Sequence, residues 1–152
     1  MNKHLFPPIT LFGHKFAMLH RLQMSMCRSD IQAAGIQPSW FPFLARLMFE
    51  NEPVTQDYLS KTLAIDKGTT ARAINQLEQN GYVTRKPNPQ NRRQNLVTAT
   101  PKAIDITQQL LLTFEKSLKI FMEGFSKEER TTTLALMDRM INNAKKALYE
   151  EN

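Results

Sequence analysis

Six cationic side chains fall between positions 66 and 93, namely Lys67, Arg72, Arg85, Lys86, Arg92 and Arg93, against two acidic ones, Asp66 and Glu78. Their chemistry suits a polyanion: a guanidinium donates in pairs to a phosphate or a guanine edge, and an ammonium adds a point charge. The 152-residue chain carries a formal net charge of +6, so most of its surplus is concentrated in this stretch. Lys67, Thr69, Arg72 and Gln76 recur at the spacing of one helix face, with Gly68 beside them allowing a close backbone approach. That face alone is better read as an ordinary solvated surface, because the same residue types favour water. Arg92 and Arg93 change the weighing. They lie among Asn88, Gln90 and Asn91, a composition able to enter a narrow minor groove whose negative potential attracts arginine.

Such side chains need elements to aim them. Thr55 is placed to cap a short helix through Leu63, and a second helix is expected from Asp66 to Asn80 with Thr70, Ala73, Ile74 and Leu77 on its inner face. The short link Ala64–Ile65 makes the pair a helix-turn-helix, whose second helix carries its N-terminal residues to base edges in the major groove. Thr70 is counted among the contacts as well as on the inner face, and Asn91 is counted with the two arginines. Gly81 closes the second helix. Tyr82–Arg85 and Asn95–Thr98 then read as strands around a proline-broken loop, Pro87–Gln94, giving a hairpin with a long basic tip.

The flanks are helical. Phe12, Phe16, Leu19, Leu22 and Met26 form one stripe between Thr10 and Ala34, and Gly35 ends it. Pro38 opens an apolar helix that includes Trp40, Phe43, Leu44 and Leu47 and stops at Asn51–Pro53. Pro101 opens a long amphipathic helix with Ile104, Leu111, Phe114, Leu118 and Phe121 at helical spacing. Ser126 and Glu129 form a capping box for another helix, whose Leu134, Met137, Ile141, Ala144 and Leu148 continue the pattern. These terminal stripes exceed the needs of a small DNA-reading lobe, and a second copy is expected to cover them. The expected fold is mainly α (α+β), a single domain over 1–152. Segments 1–36 and 101–152 form a helical dimerisation lobe, and 37–100 forms a winged helix-turn-helix lobe.

Other classes are weaker. Three scattered histidines, His4, His14 and His20, and one cysteine, Cys27, offer neither a nucleophile with its base nor zinc-ligand spacing, so no enzyme, cofactor or metal is expected. No run of about 18 apolar residues suggests a membrane span, and a soluble cytoplasmic protein is expected.

The run LSKTLAIDKGTTARAINQLEQNGYVTRKPNPQNRRQNLVTAT resembles the DNA-binding lobe of the MarR family of transcriptional regulators. The resemblance is close over Thr55–Thr100, and the flanking helical layout extends it over nearly the whole chain. It implies a homodimer built from the first and last helices and a pseudo-palindromic operator in double-stranded DNA. It also implies a wing that carries an Asp-x-Arg element; here those positions hold Asn91 and Arg93, so the arginine is kept and its charged orienting partner is not. Family members commonly release DNA on binding a small aromatic or anionic effector, or on cysteine oxidation. For the first route His14, Met18, Arg21, Trp40 and Phe43 could line a pocket with a cation for an acidic group, although core and dimer packing also explains them. For the second, Cys27 lacks a resolving cysteine, and an inert buried thiol is the simpler reading. The expected function is a sequence-specific DNA-binding regulator acting as a ligand-responsive repressor. The alternatives are a redox sensor and a winged helix that docks proteins rather than DNA.

Overall fold

In a computed structural model of the chain, residues 10–149 are described. The elements run α1 (Thr10–Ala33), a 3-10 turn (Pro38–Trp40), α2 (Phe41–Met48), β1 (Val54–Thr55), α3 (Gln56–Leu63), α4 (Lys67–Gln79), β2 (Val83–Asn88), β3 (Asn91–Ala99), α5 (Pro101–Phe121) and α6 (Lys127–Tyr149). The three strands form one antiparallel sheet in the order β1-β3-β2. The mainly helical, winged helix-turn-helix architecture is the one expected. His4 lies outside the described residues.

Three helices end by the same device. After α1, Gly35 takes a left-handed φ of 66° while the Ile36 N–H donates back to the Ile31 carbonyl, and both isoleucines are buried. After α4, Gly81 at φ 75° lets the Tyr82 N–H reach the Leu77 carbonyl at 2.8 Å, again beneath a buried pair. These are Schellman endings, in which an apolar contact accompanies the backbone bond. After α3 the left-handed residue is Ala64, at φ 54°, where the Cβ makes the conformation costlier than for glycine. Two bonds across the turn hold it: the Ile65 N–H donates to the Ser60 carbonyl, and Ser60 Oγ donates to the Ile65 carbonyl at 2.5 Å.

One cluster of buried side chains runs from Cys27 and Ile31 of α1 through Trp40, Phe43, Leu44 and Leu47, into α3, α4 and the sheet, and on to Ala103 and Leu110 of α5. Phe41 stacks on Phe114, ring centroids 4.3 Å apart, and joins α2 to α5. Thr113 Oγ1 donates to Asp30 at 2.7 Å between α5 and α1. The expected capping box is present: Glu129 N–H donates to Ser126 Oγ and Ser126 N–H to Glu129 Oε2. By contrast α6 buries no residue, and Phe12, Phe16, Leu19 and Leu22 of α1 stay about half exposed.

The wing departs from expectation. Instead of a loop over Pro87–Gln94, β2 continues through Pro87 to Asn88 and β3 begins at Asn91, leaving Pro89 and Gln90 as the tip. Proline is accepted because β2 is an edge strand, where a missing N–H costs no ladder bond. Pro87 pairs with Asn95 while Asn88 pairs with Asn91, so Arg92, Arg93 and Gln94 bulge out without opposite residues. The two-residue β1 was not expected at all; Val54 and Thr55 pair with Val97 and Leu96.

Candidate nucleic-acid interface

Asp66 caps α4, its carboxylate accepting the Thr69 N–H at 2.8 Å. That backbone bond, with the Thr69 hydroxyl and the nearby Arg72 charge, holds the Asp66 carboxyl below its ordinary value. Thr69 Oγ1 in turn accepts from the Arg72 guanidinium at 2.9 Å, so Thr69 orients Arg72 along the exposed face of the first two turns. A Cβ on Gly68 would stand 3.3 Å from Asp66 Oδ1, which places this glycine hard against the cap.

The remaining residues of that face are less free than their types suggest. Lys67 forms an ion pair with Asp57 at 3.0 Å. Gln76 Oε1 accepts from Trp40 Nε1 at 3.0 Å, so its amide is tied to the 3-10 turn behind it. Thr70 needs correction as a DNA contact: it is fully buried against the core, as its inner-face spacing required, and its Oγ1 has no hydrogen-bond partner among the described residues. Thr70→Val removes that buried hydroxyl while keeping the shape. It should stabilise the fold by about 1 kcal/mol and leave DNA affinity unchanged. Urea titration and a gel-shift series check both halves, and a loss of affinity would return Thr70 to the contact set.

Arg85 also has another job. Its Nε and Nη2 meet Glu78 Oε2 at 3.0 and 2.5 Å, and its Nη1 lies 3.5 Å from Gln56 Oε1. One guanidinium thus ties β2 to α4 and α3 and sets how the wing sits beside the helix. The Arg85 bonds and charge hold the Glu78 carboxyl below its usual range. Because both Glu78 and Asp66 are depressed in the folded chain, the stability they add is present above about pH 4.5 and is lost as pH falls through their folded values. Glu78→Gln should therefore show a shallower loss of stability between about pH 5 and pH 3 than the parent chain, measured by denaturant midpoint at each pH. Parallel curves would remove the Arg85–Glu78 tie from the account.

On the wing, Arg92 and Arg93 are exposed, and neither is within ion-pair distance of a carboxylate among the described residues. Asn91 Oδ1 accepts the Arg93 backbone N–H at 3.1 Å. Asparagine therefore shapes the bulge through the main chain rather than by holding the guanidinium, a role that needs no negative charge.

The five candidate effector residues do not share a surface. His14, Met18 and Arg21 are exposed on α1, whereas Trp40 and Phe43 are buried. Trp40 and Phe43 are accordingly corrected to core residues, Trp40 also serving as the donor to Gln76. A cleft of about 570 Å³ lies instead between the wing tip and α3, lined by residues such as Pro53, Tyr58, Asn88, Gln90 and Leu96, and by none of the five. Cys27 is buried, and that burial raises its thiol pKa, the reverse of what a peroxide-reactive thiolate requires. Among the described residues no group of three His, Cys, Asp or Glu side chains could hold a metal ion, and no helix is long and apolar enough to cross a membrane.

Sequence reasoning missed the pair Asp57 and Gln94, because the partners of Asp57, Lys67 and Gln94, come from other elements.

A capped helix aimed outward beside a bulged arginine wing defines a winged helix-turn-helix protein. The comparisons narrow this. The MarR family model matches residues 34–94. A MarR transcriptional regulator from Methanosarcina mazei Go1 is 32% identical, with a TM-score of 0.79 over 90% of this chain and 98% of that one. The uncharacterized HTH-type transcriptional regulator YybA of Bacillus subtilis is 27% identical over 129 residues, 85% of each chain. A putative MarR family transcriptional regulator from Listeria monocytogenes, complexed with 26mer DNA, shares the fold at 24% identity and a TM-score of 0.82, over 91% of this chain and 92% of that one. The chain belongs to the MarR family, whose members are transcription regulators and not enzymes.

Proposed function

We propose that the chain is a homodimeric, ligand-responsive transcriptional repressor that binds a pseudo-palindromic duplex in the cytoplasm, with α4 in the major groove and the bulged wing in the adjacent minor groove. The observation that carries the reading is the set Arg72, Arg92 and Arg93, exposed on α4 and on the bulge of β3, whose hairpin partner β2 is tied to α4 by Arg85. Lys67, Thr69, Gln76 and Asn91 complete the interface, Thr69 by orienting Arg72, Asn91 by shaping the bulge that carries Arg92 and Arg93, and Gln76 by bracing the helix on Trp40. The Listeria relative, which carries DNA, supports the docking.

The dimer reading rests on the exposed apolar stripes of α1 and α6, which include Phe12, Phe16, Leu134 and Ile141. It assigns 1–36 and 101–152 to the dimerisation lobe and 37–100 to the DNA-binding lobe, with half-sites about one helical turn apart. The effector reading rests on His14, Met18 and Arg21, exposed on α1 where a second copy would bring its own surface. An aromatic acid bound there should raise the melting temperature, and a thermal-shift screen of such acids with no response would remove this part.

The deciding experiment is binding to random duplex between 50 and 200 mM salt. A regulator that neutralises six to ten phosphates loses roughly 10³- to 10⁵-fold in affinity over that range. A protein-docking winged helix would show no duplex binding at either end.

A further inference from the structure

Asp57 stands on the first turn of α3 with one carboxylate oxygen 3.0 Å from Lys67 Nζ and the other 3.5 Å from Gln94 Nε2. Lys67 opens the groove-facing helix, and Gln94 closes the bulge that carries Arg92 and Arg93. A carboxylate therefore bridges the start of α4 and the end of the bulge, with one oxygen on each. Both members of the ion pair reach solvent, with side chains 72% exposed for Lys67 and 44% for Asp57, so the pair is weak enough to exchange.

We propose that Asp57 is an affinity-setting counter-ion of the DNA interface. It occupies Lys67 in the free protein, and a DNA phosphate takes its place on binding. The inference rests on the DNA-binding reading above and adds to it a residue that opposes binding.

The ion balance gives the proposal a signature. When Lys67 moves from Asp57 to a phosphate, the abandoned carboxylate stays beside the DNA and cancels the charge that Lys67 brings, so the condensed counterions there are largely kept. The exchange contributes almost nothing to the salt dependence. Without the carboxylate, Lys67 meets DNA as an unpaired cation and its counterion release appears in full, steepening log K against log salt by about 0.9. Between 50 and 200 mM that amounts to about 3.5-fold more affinity lost than in the parent chain. A structural role for Asp57, such as favouring the N-terminus of α3, would move the melting temperature and not this slope.

The test is random-duplex binding across that salt range for the full chain, Asp57→Asn, and Asp57→Asn combined with Lys67→Met. The single variant is expected to bind more tightly at 50 mM and to show the steeper slope, and the double variant to return to the parent slope. A parent-like slope in Asp57→Asn, weaker binding at 50 mM, or a steeper slope that persists without Lys67 overturns the assignment. If the parent chain itself binds no duplex, the DNA-binding reading has failed and Asp57 falls with it. If the parent binds and Asp57→Asn behaves identically, only the role of Asp57 is lost.

Discussion

Arg93→Ala is expected to weaken binding to every duplex by about 10- to 100-fold and to make the salt dependence shallower by about 0.9 in log–log slope. The size follows from where Arg93 sits. It projects from a bulge with no cross-strand partner, its backbone N–H is fixed by Asn91 Oδ1, and no carboxylate of the described residues neutralises it. Unlike Lys67, it gives up no protein ion pair to reach DNA, so its full counterion release is available. The substitution removes an exposed side chain and leaves the Asn91 bond intact, so stability should change by less than about 0.5 kcal/mol. Because a minor-groove arginine reads width more than base identity, operator and random duplex should lose similar factors. Arg72→Ala should instead relax sequence preference, since Thr69 aims that guanidinium along the helix face. A gel-shift titration in which Arg93→Ala matches the parent in affinity and slope would exclude the wing from the interface.

The largest effect on stability is expected from Phe43→Ala, about 3–5 kcal/mol. Phe43 is 1% exposed and belongs to the cluster that joins α1, α4 and α5 through α2. Truncating it removes apolar burial and leaves a void at the junction of the terminal helices with the helix-turn-helix, where neighbours on several elements limit collapse. Denaturant unfolding measures the loss. A cost below about 1 kcal/mol would mean that the ring lines open space, and Phe43 would return to the effector candidates.

How much of this was legible in the residues depends on the range over which each feature is decided. The stripe of α1, the inner face of α4 and the Ser126–Glu129 box are set by residues three or four apart, and each appeared where its spacing placed it. In the wing, Pro87 and Pro89 predict a broken strand, whereas β2 runs through Pro87. Whether a proline breaks a strand depends on whether that strand lies at a sheet edge, which a local pattern does not show. At two residues, β1 is too short for any periodicity.

The interface shows the same division. Exposure of Lys67, Arg72, Gln76, Arg92 and Arg93 follows from face and loop position. Their availability does not, because it is set by partners far along the chain: Asp57 for Lys67, and Trp40, thirty-six residues away, for Gln76. The count of six cations overstated the free charge, since Arg85 is spent on Glu78 and Lys67 on Asp57. Thr70 fits both the contact face and the inner face by residue type, and its position beside Ala73, Ile74 and Leu77 decides for the inner face.

α6 extends over 23 residues without burying one of them, and its Lys145 reaches the Thr62 carbonyl at 2.7 Å. Most of a helix's stability in a protein comes from packing of its apolar face, and in the proposed dimer that packing would be supplied by the second copy. In the proposed dimer the thermal midpoint then depends on how concentrated the sample is, rising with protein concentration by mass action. At nanomolar dilution the same dependence would sharpen a DNA titration, because each tenfold dilution would remove folded dimer as well as free binder.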